Sequence, residues 1–241
     1  MIGKGKSISH GTAALEYDLA KEIDGQTAAI EIARHELYGC TGAEMVQEMK
    51  PYHIDFPNVK NNCLRFEVSP SIEESATFTD ADWAELGNDF MQRMGLANHQ
   101  YIIIRHSGTE SKKEQAHLHI LANRVSLSGE LYRDNWIGKK ATEAANAIAK
   151  ERNFVQSQDI GKVNKAEIKE AMDGVLKKMQ GFDFTKFKEE LGKRGFKVRE
   201  ARASTGKLNG YYVTARSGTE YKASEIGKGY TLAHIERTQS K

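Results

Sequence analysis

The sequence predicts an α+β fold: a central antiparallel β-sheet with helices packed mainly on one face, plus a small helical and β C-terminal region. Three observations carry that expectation. Leu64-Arg65-Phe66-Glu67-Val68-Ser69 alternates apolar and polar residues, the mark of a strand with one face buried. Trp83, Leu86, Phe90 and Met94 recur at helical spacing behind Thr79-Asp80-Ala81-Asp82, which caps an amphipathic helix. Two apolar runs, Tyr101 to Ile104 and Leu118 to Leu121, flank a polar segment with a Ser107-Gly108 turn signal, the pattern of an antiparallel hairpin.

The remaining elements follow in chain order. After a short lead rich in glycine and lysine, Ala13 to Glu22 favours a first helix with Tyr17 in its middle. Thr41 and Glu44 have capping-box spacing ahead of Met45, Val46 and Met49, so a second helix starts there and Pro51 ends it. Gly129 marks a turn, Leu131-Tyr132 a short strand, and Thr142 to Lys150 a helix. The polar stretch Arg152 to Val163 suggests a boundary, giving a domain over 1–155 and a second region over 156–241. In the second region Ile168 to Met179 and Phe184 to Leu191 read as helices. Phe196 to Val198, Tyr211 to Val213 and Tyr221-Lys222 read as strands, with turns at Asn209-Gly210 and Ser217-Gly218.

Charge is divided unevenly. Residues 1–150 carry 16 Lys and Arg against 21 Asp and Glu, whereas residues 151–241 carry 19 against 12. The C-terminal region is therefore either the electrostatic footprint of a polyanion or simply a solvated basic surface. No apolar stretch approaches the roughly 20 residues that span a bilayer. Met1 to Ser7 lacks the apolar core of a secretory signal, and the two cysteines, Cys40 and Cys63, form no CxxC pair. These features set the expectation of a cytoplasmic protein without membrane insertion or a disulfide framework.

Chemistry concentrates in three histidines. His117 and His119 are two residues apart on a strand and so share a face, and the hairpin brings His106 beside them. A single strand histidine is ordinarily a polar residue on a half-solvated face. Three neutral imidazoles converging on one sheet face suffice to hold a divalent metal with positions left open. That spacing points to a metal site and leaves hydrolysis, oxygen chemistry and phosphoryl transfer open.

The strand continues as His-Leu-His-Ile-Leu-Ala-Asn-Arg-Val, and here the sequence resembles the relaxases, mobilisation nucleases of the HUH endonuclease superfamily, of the Bacteroides type. His106 is similar to their first histidine, and His117 and His119 to their histidine-hydrophobe-histidine motif. Lys6-Ser7 with Ala13 to Tyr17 is similar to the N-terminal motif that bears the nucleophile, and Phe66 to Ser71 to the second strand and its turn. Lys207 to Gly210 with Lys222 to Gly227 resembles a segment that often follows the nuclease domain. In this sequence Ser107 stands where an acidic residue often follows the first histidine.

The resemblance implies a bacterial enzyme that nicks one DNA strand at a transfer origin through Tyr17, forming a 5′-phosphotyrosyl intermediate and starting conjugative mobilisation of a plasmid or transposon. It implies a metal at His106, His117 and His119, magnesium or manganese in use, while ligand softness alone favours zinc or manganese. Single-stranded DNA, accessory mobilisation proteins of a relaxosome and a coupling protein are the implied partners. Glu67 is a candidate for orienting a histidine or taking the phenol proton. Asp18 and Glu16, beside Tyr17, are expected to point elsewhere on the helix. Asn123 and Arg124 either contact DNA or close the strand's hydrogen bonding. Lys139 and Lys140 beside Trp136 form a basic and aromatic grouping suited to single-stranded DNA. Three other readings compete: a rolling-circle replication initiator, a non-catalytic DNA-binding mobilisation accessory, and a zinc hydrolase of small molecules.

Overall fold

The structure is a computed structural model that describes residues 1–108 and 115–239. The chain divides into two compact units, 1–157 and 158–241. The first contains β1 (Ile2–Ile8), α1 (Gly11–Leu19), β2 (Glu22–Ile23), β3 (Gln26–Thr27), β4 (Ala29–His35), α2 (Gly42–Met49), β5 (Cys63–Ser69), α3 (Ile72–Ser75), α4 (Asp80–Arg93), β6 (His99–His106), β7 (His117–Ser126) and α5 (Ile137–Glu151). β2 and β3 form a small hairpin of their own, and the other five strands make one sheet in the order β1-β5-β7-β6-β4, every neighbour antiparallel.

Strand alternation sorts this sheet into two faces. On one, Leu64, Phe66, Val68, Ile103, Leu118 and Ile120 are buried against Trp83, Leu86 and Phe90 of α4 and Ala141, Ala145 and Ile148 of α5. Each large side chain buried there is worth about 1.5–3 kcal/mol, which makes this layer the main source of stability. Thr79 and Asp82 close a reciprocal capping box at the start of α4, as their spacing predicts. On the other face α1 and α2 cover Ile102, Ile104 and Leu121 with Leu15, Met45, Val46 and Met49. Ile8 and Cys63 join that cluster, whereas Lys4 and Lys6 of β1 stay exposed and Arg65, Glu67 and His119 partly so, and the helices are thus concentrated on one face with the other half covered.

Four strands escaped the sequence reading: the β2–β3 hairpin, where α1 stops at Leu19 and Glu22 is strand and not helix, and two strands of the main sheet. The glycine- and lysine-rich lead is β1, an edge strand whose Gly3 and Gly5 let α5 lie against it: a Cβ on Gly3 would come 2.6 Å from Ala145 Cβ. β4, the other edge, has no clean alternation because α1 covers only part of it, and it carries a register shift between Glu31 and Ala33. Pro51 lies inside a short 3-10 turn, Lys50–His53, that continues α2. Leu131 makes one isolated bridge to Val125, and α5 begins at Ile137, five residues before the expected start. The expected turn between β6 and β7 falls partly on residues 109–114, outside the described residues.

The second unit holds most of α6 (Ser157–Leu176), then α7 (Phe184–Lys193), β8 (Lys197–Arg202), β9 (Leu208–Thr214), β10 (Glu220–Lys222), α8 (Ala223–Ile226) and α9 (Leu232–Gln239). The stretch read from sequence as a boundary is thus half helical. The strands form a meander in the order β10-β9-β8, one face packed through Val198, Tyr211 and Val213 on Ile168, Met172, Phe187, Leu191 and Ile235. Asn209-Gly210 is not the turn expected there. The chain reverses at Gly206, whose φ of 80° only glycine adopts cheaply, and Asn209-Gly210 lies within β9. Gly218, with φ of 86°, makes the second turn as expected.

Candidate metal centre and nuclease site

The β6–β7 register sets His106 directly opposite His117 and Ile104 opposite His119, so the hairpin delivers all three imidazoles to one face. One ring nitrogen from each lies within 4.8 Å of the others. The ring centroids are 4.4 Å apart for His106 and His119, 4.9 Å for His117 and His119. His106 and His117 are buried, and His119 is nearly so.

Hydrogen bonds fix which nitrogen of two rings is available. His106 Nε2 lies 2.8 Å from the Asp18 carbonyl oxygen, which only accepts, so Nε2 carries the hydrogen and Nδ1 keeps its lone pair. By the same logic His117 Nδ1 donates to the Gln115 carbonyl at 3.1 Å and Nε2 is left as a donor atom. This is the arrangement by which metal-ligating histidines are oriented from behind. His117 Nε2 and His119 Nε2 face each other at 3.1 Å. At that separation either neutral His119 donates its Nε2 hydrogen to the His117 lone pair, or two lone pairs face a cation between them. Protonating the rings is disfavoured: burial lowers the pKa of His106, and burial with the nearby His106 and His117 pushes that of His119 down to about 2. The donor set therefore fits a divalent cation.

Asp18 points away from Tyr17, as expected, but toward the triad, a role the sequence reading did not assign it. It is buried, on the same helical stripe as Ala14 and Leu15, and so faces the sheet and not the solvent. Arg65 on β5 clasps its carboxylate, with Nε 3.0 Å from Oδ2 and Nη2 on Oδ1. Arg65 Nη2 also lies 3.4 Å from His119 Nδ1, and Asp18 Oδ1 stands 4.0 Å from the same nitrogen. The C-terminal turn of α1 is thus pinned to the triad twice, through the Asp18 carbonyl and through its side chain. Tyr17 precedes Asp18 by one residue, about 100° round the helix, and its side chain is 60% exposed with Lys21 Nζ 5.7 Å from the ring centroid.

The other site residues named from sequence are placed as follows. Glu67 shares the face of His119 and is its register partner, but its carboxylate pairs with Lys4 at 2.9 Å and makes no bond to a histidine. Asn123 is fully buried. Its Oδ1 accepts from Val125 N and His53 Nε2, and its Nδ2 donates to Gln100 Oε1, so it closes the strand's hydrogen bonding and presents nothing to DNA. Arg124 does the same, held by the carbonyls of Asn61 and Tyr132 and the Asp134 carboxylate. Lys140 is tied to the Arg133 carbonyl and lies over the Tyr132 ring, whereas Lys139 and Trp136 are exposed.

Sequence reasoning missed the cations beside the triad. Lys4, Lys6 and Arg65 line a cleft of about 240 Å³ together with Gly5, Phe66, Glu67 and His119. The alternation Ile2, Lys4, Lys6, Ile8 was the available signal, concealed by the intervening Gly3 and Gly5.

A buried histidine triad on an antiparallel sheet, flanked by basic side chains and pinned to a tyrosine-bearing helix, is a donor set that could hold a metal ion beside a basic cleft. Residues 17–154 match the family "Relaxase: MobA/VirD2-like, nuclease domain", more than half of the chain, and the chain belongs to that family. It is accordingly a DNA endonuclease and transesterase of the relaxase group within the HUH superfamily. A search of curated proteins found no match. Among solved structures, the conjugative relaxase TrwC in complex with oriT DNA, metal-free, is similar at 11% identity and a TM-score of 0.38 over 86% of this chain and 74% of that one. Its metal-bound form gives 14% and 0.36 over the same shares. Its copper-bound form gives 13% and 0.37 over 86% and 75%.

Proposed function

We propose that this relaxase nicks one strand at a transfer origin with Tyr17 as nucleophile. The observation that carries the reading is the bond from His106 Nε2 to the Asp18 carbonyl, which fastens the residue after Tyr17 to the metal triad. Tyr17 Oη gives up its proton and attacks the scissile phosphorus, the bond to the 3′ oxygen breaks, and that oxygen takes up a proton to leave as a 3′-hydroxyl, so no net proton is gained or lost. The new bond is a 5′-phosphotyrosyl ester, so the phosphodiester energy is retained and the strand can be rejoined.

His106, His117 and His119 would hold a divalent cation, manganese or magnesium, which when bound supplies Lewis-acid neutralisation of the non-bridging phosphate oxygens. The chain's own residues do the rest. Exposure of Tyr17 leaves its ring free to meet a strand, and Arg65, Lys4 and Lys6 offer cationic contacts to the phosphates beside the scissile one. Accessory mobilisation proteins and a coupling protein are the partners this reading implies. Among the described residues no helix is long and apolar enough to cross a membrane. The basic unit over 158–241 is read as a second DNA-contacting region.

Strand cleavage of a labelled single-stranded origin oligonucleotide tests the proposal. Wild type with Mn²⁺ cleaves; Tyr17→Phe, His119→Ala and wild type with EDTA do not. Metal-dependent cleavage that survives Tyr17→Phe would assign the nucleophile to another group.

A further inference from the structure

The meander of the second unit has an outer face that its own helices do not cover. Register and alternation place Lys197, Arg199 and Ala201 of β8, Gly210, Tyr212 and Thr214 of β9, and Glu220 and Lys222 of β10 on that face, opposite the packed Val198, Tyr211 and Val213. Lys197, Arg199 and Lys222 are exposed cations against the one carboxylate of Glu220. The unit as a whole carries 18 Lys and Arg against 11 Asp and Glu.

Gly210 leaves the face open beside the β8–β9 register shift between Ala201 and Arg202. Its φ is not positive, and a Cβ built on it meets no atom within 4 Å, so a side chain there would stand out from the face. A glycine inside a strand costs stability and is expected where something approaches closely from outside. Opposite it stands Ala201, the other small residue of the face, and together they make a shallow notch at the end of the β8–β9 ribbon, past Arg199 and Lys222.

The geometry points to double-stranded DNA as the occupant, an assignment that rests on reading the chain as a DNA-processing enzyme. Phosphates match the charge. The Tyr212 ring is not free for base stacking, because the Arg199 guanidinium lies 4.0 Å from its centroid and is itself clamped by Glu220 at 2.6 and 2.8 Å. A sheet that reads single strands leaves such rings open. Beyond β10, the β8–β9 pair continues as a two-stranded ribbon, the element that a major groove about 12 Å wide admits. The notch at Gly210 and Ala201 admits the backbone, and Lys197 and Lys222 lie along the same face, both on one side of it.

Fluorescence anisotropy of the full chain, over a range of KCl, with a labelled duplex of about two helical turns and with one of its strands alone, tests this. The duplex binds with a steep salt dependence. Lys197→Ala with Lys222→Ala lowers the log–log salt slope by about 2, at about 0.9 per phosphate contact. Gly210→Glu, which enters open space and leaves the melting temperature unchanged, weakens duplex binding at least tenfold. Tyr17-dependent nicking of a single-stranded oligonucleotide stays at the wild-type level in both variants. Wild-type duplex affinity in both variants would overturn the proposal and leave the face to a protein partner. Binding to the single strand alone would overturn it as well. Absence of nicking in wild type, with duplex binding still lost in the variants, would instead count against the nuclease reading and leave this face in place.

Discussion

Asp18 and Arg65 show how one buried pair can organise a site. The Asp18 carboxylate is 2% exposed and its partner 21%, so removing Arg65 strands a negative charge away from water. Arg65→Leu is expected to cost about 3 kcal/mol, the lower end of the range for a broken buried pair because Arg65 keeps some water contact, and to lower Tm by about 10 °C. Arg65→Leu with Asp18→Leu should recover most of that loss in a thermal melt, since an apolar pair of similar volume is often as stable as the ion pair. A second prediction concerns protons. Burial lowers the pKa of His99 from its ordinary 6.5, as it does those of His106 and His119. The unfolded chain therefore binds protons at these sites that the folded chain refuses. The stability they confer is fully present above pH 6.5 and is lost as pH falls below it, so Tm should drop steadily from pH 7 to pH 5, and less steeply in His99→Gln. At this scale the sequence made the triad legible, because the period-2 rule turns His-x-His into a shared face without further information. It made Asp18 illegible, because which side of a helix faces a sheet depends on packing that the residues 11–19 alone do not reveal.

Among the elements, β5, β6, β7, α2 and α4 were legible from periodicity and capping boxes, whereas β1 and β4 were not. An edge strand has one ladder and often one covered face, so its pattern is weaker than that of a central strand. In β1 the apolar positions that would have shown alternation are taken by Gly3 and Gly5, which α5 requires. This gives a paired prediction from chemical denaturation. Gly3→Val should lose about 1–3 kcal/mol, because the side chain collides with Ala141 and Ala145. Gly210→Val in β9 should be neutral or gain about 0.5–1 kcal/mol, because the same substitution there meets open space. Asn209-Gly210 was misread as a turn for a related reason: the dipeptide is a strong hairpin signal, but Gly206 supplies the positive φ first and the chain has already reversed.

At the scale of the whole molecule, the two units have separate cores, one built around the five-stranded sheet and one around the meander. The division of charge, negative before and positive after, follows the same line and was legible from counting alone. Because the candidate ligands all belong to the first unit, saturating Mn²⁺ should raise the calorimetric transition of that unit and leave the other unmoved. At about 100 times Kd the gain is about 2.7 kcal/mol, and His117→Ala with His119→Ala should abolish it. The central claim, that α1 carries the nucleophile to the histidine triad, is tested most directly by mass analysis of the protein after incubation with a single-stranded origin oligonucleotide and Mn²⁺. The account predicts a covalent oligonucleotide adduct through its 5′ phosphate, mapped to Tyr17. An adduct on another tyrosine, or complete metal-dependent cleavage with no adduct, would contradict it.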